Sequence, residues 1–168
     1  QAPFYSFYSN FLKQHAFSTT EIGFLWSIGV VAEIIMFAYA TFFLSRFSWR
    51  SLTIVCLLMT GLRFVCVGLF ANSFTMQFFS QTLHAFSFGL FHMIAMRVIF
   101  QYFSIGQQGR GQALYSTMWG LGVASGSLLA GHYWHVFSGE MIFIWAGLST
   151  LLGLLVVYWL PHQVQKNS

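Results

Sequence analysis

One carboxylate, Glu33, stands in the middle of a nearly unbroken apolar run from Glu21 to Leu44. The run is about two dozen residues long, and as a helix rising about 1.5 Å per residue it would cross the hydrocarbon core of a bilayer. A charge at that depth costs at least about 2.5 kcal/mol, so it persists only where it faces a protein interior or a wet cavity, usually with a partner. The fold therefore has to be built around whatever pairs with Glu33.

Composition agrees with a membrane setting. The chain is 57% hydrophobic and 6% charged, with a mean hydropathy of +0.70, whereas a soluble domain carries roughly 25% charged residues. Its 20% aromatic content, with 21 Phe, exceeds what lipid contact requires and points to an interior or cavity lined by rings. The formal charge of +4 comes from scattered Lys and Arg with no basic cluster, which excludes a nucleic-acid binder. Cys56 and Cys66 fall on one expected helix about 15 Å apart, too far for a disulfide. No metal-ligand spacing, nucleophile arrangement or phosphate loop is present, so no catalytic residue, metal or cofactor is expected. The opening Gln1-Ala2-Pro3 lacks a Met or a charged leader, and the chain reads as an internal piece.

The fold class expected is all-α and polytopic, a single unit over residues 1–168 with helices at about 1–12 (the tail of a longer helix), 21–44, 51–70, 74–103, 113–133 and 141–160. Ser18-Thr19-Thr20-Glu21 reads as a capping box. Pro161 should stop the last helix, and the Gly-rich stretch Ile105–Gln112 reads as a surface connection. Placing the Arg46/Arg50 loop in the cytoplasm puts Arg97, Arg110 and Lys166 there too and leaves Lys13 opposite, so the C-terminus is expected inside. Arg97 would snorkel to the headgroups.

Counting inward from the outer face, Glu33 lies roughly 17 Å deep, Arg63 roughly 12 Å and His84 roughly 14 Å. Three ionisable groups on successive helices thus share a layer. They form either a charged cluster facing a substrate cavity, with protonation of Glu33 or His84 coupled to movement, or an ion pair that locks helices together. Arg63 is the expected counter-charge of Glu33. His92 lies about 80° round the helix from His84, which assigns it a different environment and a helix-to-helix hydrogen bond. Gly122, Gly126 and Gly131 form a small-residue strip suited to close packing. A haem-binding subunit is the rival class, but His84 and His92 share one helix while His15, His132, His135 and His162 lie at the membrane edges.

The segment Leu25–Ala32 resembles Met118–Ser125 at an offset of about 93 residues, on helices that cross in opposite directions. That pattern predicts an inverted 3+3 repeat, with Gly126 at the position matching Glu33 and about fifteen residues missing before Gln1.

Ala32-Glu33-Ile34, Met59-Thr60-Gly61-Leu62-Arg63-Phe64 and Thr82-Leu83-His84-Ala85-Phe86 resemble the charged set of lactose-permease-like proton symporters in the major facilitator superfamily. The whole chain, loops included, is more similar to the phenylpropionate permease branch of that superfamily. The resemblance implies the C-terminal six-helix half of a transporter whose first helix is truncated and whose N-terminal bundle is not in this chain. It implies Glu33, Arg63 and His84 as the substrate and proton-coupling residues, with Ser87 where the sugar permeases place a proton-carrying carboxylate. The acid near Tyr5 and a Lys partner of those permeases have no counterpart here. The implied activity is proton-linked uptake of a small aromatic carboxylic acid such as 3-phenylpropionate across a bacterial inner membrane; a neutral sugar or nucleoside is the alternative solute.

Overall fold

The computed structural model describes residues 1–159, and all regular structure among them is helical. The helices are α1 (Ala2–Gln14), α2 (Thr19–Arg46), α3 (Trp49–Leu69), α4 (Phe74–Tyr102), α5 (Gln108–Tyr133) and α6 (Gly139–Trp159). The expected stop at Pro161, and Leu160, His162 and Lys166, lie outside the described residues.

Serine sets most of the starts. Ser18, Ser48, Ser73 and Ser138 each accept a hydrogen bond from the backbone N–H three residues on, satisfying one of the free donors of the first turn. At Ser18 the box is reciprocal, because the Glu21 carboxylate accepts from the Ser18 N–H at 2.8 Å.

Helices α2, α3, α4 and α6 are long and apolar enough to span a membrane. With 26 residues, α5 has the length, but its glycines and serines keep it outside that apolar set. It also starts earlier than its sequence suggests. Gly109 and Gly111 belong to the first turns of α5 rather than to a loop. A Cβ on Gly111 would stand 2.7 Å from Ile99 Cγ2 and 2.9 Å from Phe103 Cδ2, so this glycine is there to let α5 lie on the end of α4. Arg97 likewise does more than reach for headgroups, since its guanidinium donates to the Leu44 carbonyl and ties α4 to the end of α2.

The buried apolar side chains form two groups. One, at the α1 end, gathers Phe4, Tyr8, Phe11, Leu25, Phe64, Val67 and Phe143; the other gathers Met36, Leu52, Cys56, Ala85, Leu90 and Ile94. Along α2, α3 and α4, the residues Glu33, Arg63 and His84 fall at the join between them. The tightest helix contact is between α3 and α6, where a Cβ on Gly68 would stand 2.5 Å from the Glu140 carbonyl oxygen and one on Gly147 2.9 Å from that of Gly61. Backbones meet there because neither side presents a side chain.

Inside α4, residues Ala85–Leu90 are a π-helix flanked by α-helical turns. The wider i→i+5 turn rotates the chain less per residue than an α-turn does, and such insertions recur at functional sites. An uninterrupted α-helix, as read from the sequence, places the residues beyond His84 on the wrong azimuth.

Candidate functional site

Glu33 projects from the middle of α2 towards α4, its side-chain stem passing Gly89 of the π-turn, where a Cβ would sit 3.5 Å from Glu33 Cγ. Its carboxylate oxygen Oε2 lies 3.7 Å from His84 Nε2. That spacing is too long for a hydrogen bond, so the two attract as an ion pair when the imidazole holds a proton.

Arg63 takes a different partner from the one expected. It is fully buried, and its Nη1 donates to Ser87 Oγ at 3.0 Å and to Gln1 Oε1 at 3.3 Å. The guanidinium lies over the Phe4 ring at 4.0 Å and beside Phe64 at 5.2 Å, contacts that hold a buried cation electrostatically. Among the described residues Glu33 pairs with His84 and Arg63 does not pair with Glu33. Shared depth put the three in one layer, while the direction in which each helix face points decided the pairing. Ser87, on the π-turn, accepts from Arg63 where the resembled sugar permeases carry an acid.

The π-turn also returns His92 to the face of His84. The rings of His84 and Phe88 stack at 5.6 Å, and those of Phe88 and His92 stack at 5.9 Å, making a ladder along α4. His92 thus belongs to the same environment as His84, contrary to the 80° separation of a regular helix. Its Nδ1 also contacts Tyr115 Oη of α5 at 3.4 Å, the interhelical contact expected for it. Tyr5 is partly exposed with its ring 6.5 Å from His84. Gly126 packs on α1, where a Cβ would lie 2.7 Å from Ala2 Cβ, and Gly131 lies against Phe7. Gly122 differs, having nothing within 4 Å of the Cβ position, and lines a cavity of about 530 Å³ together with Gln1, Trp119 and Trp145.

Several residues of this region were not singled out from sequence. Gln77, Ser80 and Gln81 are buried on α4. With His84 and Ser87 they recur at i+3 or i+4, a polar stripe in an apolar helix, and that spacing was the available signal. Phe4 joins Tyr8 at 4.8 Å, Trp26 at 4.7 Å and His84 at 5.6 Å, so rings wall the charged layer. Among the described residues, the buried side-chain polar atoms without a hydrogen-bond partner are Trp49 Nε1, Arg63 Nε and Nη2, both amide atoms of Gln81, and His84 Nδ1. All but the first belong to this region. Buried polar groups are nearly always paired, so a concentration of unpaired ones singles this region out as the candidate site.

The MFS_1-like family model matches residues 1–145. The chain belongs to the major facilitator superfamily. Consistent with that membership, it is a multi-pass integral membrane protein with four apolar helices long enough to span. It is 31% identical over 121 residues to the probable 3-phenylpropionic acid transporter of Escherichia coli (strain K12), a match covering 70% of this chain and 30% of that protein. No solved structure matches the chain. In this facilitator-superfamily chain, Glu33, Arg63 and His84 thus share one ring-walled region.

Proposed function

We propose that the chain is the C-terminal half of a secondary transporter that takes up a small aromatic carboxylic acid, such as 3-phenylpropionate, together with protons by alternating access. The observation that supports this most is the free edge of Arg63. Its Nη1 is occupied by Ser87 and Gln1, while Nε and Nη2 have no partner. Those two N–H groups form the planar fork that matches both oxygens of a carboxylate. Phe4 and Phe64 lie against the same guanidinium, so an apolar aromatic wall stands beside the place a carboxylate would take. A neutral oligosaccharide would call for many hydroxyl partners instead.

The proton belongs to the Glu33–His84 pair. When the imidazole is protonated the two attract across 3.7 Å; when it is neutral the attraction ends and the contact between α2 and the π-turn loosens. Gain and loss of one proton would thereby bias two arrangements of the same helices. The remaining half of the solute site lies on the N-terminal bundle, facing this one across the two-fold along the membrane normal that relates the two halves, near the membrane midplane. The protein resides in a bacterial inner membrane with its C-terminus in the cytoplasm, the side given by the basic loops.

Uptake of radiolabelled 3-phenylpropionate by cells making the full-length transporter tests this reading. Accumulation above the external concentration is expected, and dissipating the proton gradient should end it. If the acid is not taken up but a labelled sugar or nucleoside is, the neutral-solute alternative replaces the aromatic acid.

A further inference from the structure

The two glutamines one turn apart on α4 are bonded in opposite ways. Gln77 is fully committed: its Oε1 accepts from Tyr8 Oη at 3.1 Å, and its Nε2 donates to the Val67 and Phe70 carbonyls, both at 3.2 Å. Gln81 is just as deeply buried, 1% exposed, yet beyond a contact with the Tyr8 hydroxyl neither Nε2 nor Oε1 makes a hydrogen bond of good geometry. Burying a carboxamide without partners is unfavourable, and a methionine would fill the same space without that cost. Gln77 reads as a structural glutamine, and Gln81 as one that is waiting for a partner.

Its position says which partner. A Cβ on Gly29 of α2 would stand 2.9 Å from Gln81 Oε1 and 3.6 Å from His84 Cδ2, so the carboxamide and the imidazole converge on one notch in α2, a turn before Glu33. His84 Nδ1 is unpaired as well. The Phe4 ring lies between His84, at 5.6 Å between centroids, and the Arg63 guanidinium, at 4.0 Å. Unpaired donors and acceptors thus line the α2–α4 seam, with the Phe4 ring between them and the Arg63 guanidinium.

We propose that Gln81 is a solute-binding residue, its carboxamide hydrogen-bonding the carboxyl head of the transported molecule in the seam between α2 and α4. The proposal rests on the transport reading above and adds a residue to it. A carboxamide supplies a donor and an acceptor side by side, so it satisfies a carboxylic acid through two contacts and a carboxylate through Nε2–H alone. Arg63 selects charge; Gln81 holds the head group whether or not it carries the proton.

The test uses the full-length transporter purified in detergent, with melting temperature followed against concentration of 3-phenylpropionate, lactose or uridine as separate probes. For the wild type, 3-phenylpropionate is expected to stabilise. Gln81→Met should raise the half-saturating concentration by about tenfold or more and leave the ligand-free melting temperature unchanged or higher. Gln77→Met should lower that temperature, because three bonds are lost. Gly29→Ala pushes the Gln81 carboxamide aside without changing its chemistry and should weaken binding in the same way. Unchanged half-saturation in Gln81→Met overturns the proposal, as does a ligand-free destabilisation equal to that of Gln77→Met with affinity intact. If lactose or uridine stabilises the wild type and the acid does not, the aromatic-acid reading fails, and Gln81 is then judged on that probe by the same loss or retention. If none of the three stabilises the wild type, both fall.

Discussion

At the scale of single residues, Arg63 and Glu33 serve different ends although they share a layer. Replacing Arg63 with Lys keeps the charge and removes the planar fork, so affinity for an aromatic acid should fall by about tenfold or more while affinity for its uncharged amide changes little. Competition against labelled 3-phenylpropionate measures both. Equal binding of acid and amide by the wild type would show that charge is not read at this position. Glu33→Gln keeps the shape and much of the hydrogen bonding but removes a proton site beside His84. Accumulation against a gradient should disappear while equilibrating exchange of solute continues; a mutant that still concentrates solute would assign the proton to another group. That these residues come together in one layer was legible from counting along apolar helices. Their pairing was not, because rise per residue fixes height and says nothing of which way a face is turned.

Helices and their starts were legible for a local reason: a serine before an apolar run caps a helix wherever it occurs, as at Ser18, Ser48, Ser73 and Ser138. The π-turn at Ala85–Leu90 escaped because it has no signature of its own in Ala-Phe-Ser-Phe-Gly-Leu, and missing it separated His84 from His92. The glycines misled in two places. Those at 109 and 111 suggested a loop where a helix begins, and in the strip at 122, 126 and 131 the last two pack on α1 as expected while Gly122 packs on nothing. A substitution pair separates the two kinds of glycine. A methyl group at Gly68 would meet the Glu140 carbonyl at 2.5 Å and backbone nitrogen Ile144 N at 3.3 Å, neither free to move, so Gly68→Ala should cost about 1–3 kcal/mol, the range for overpacking. At Gly122 nothing lies within 4 Å of the methyl position, and Gly122→Ala should leave stability unchanged or slightly raised, since alanine is the better helix former. Thermal unfolding of the two purified variants in detergent measures the difference.

At the scale of the whole molecule, contacts between connections sort them onto two faces. His15 Nε2 lies 2.8 Å from Glu140 Oε1, and the Phe17 ring stacks near Phe74 at 6.4 Å, which places the α1–α2, α3–α4 and α5–α6 connections together. On the other side, Arg50 donates to the Tyr158 carbonyl at 2.6 Å, and Arg97 donates to that of Leu44. Arg46, Arg50, Arg97 and Arg110 cluster towards this second face, whereas Lys13 lies on the first. An excess of basic residues marks the cytoplasmic side, so the first face should look outward. Single cysteines at Asn72 and Gln107, both exposed, report on opposite faces. Cys56 and Cys66 are buried and should contribute little background. In intact cells a membrane-impermeant maleimide is expected to label the Asn72 variant, and the Gln107 variant only after the membrane is opened. Labelling of both from the same side would mean that the four apolar helices do not cross in alternation, and the shared layer of Glu33, Arg63 and His84 would then lose its place at mid-membrane depth.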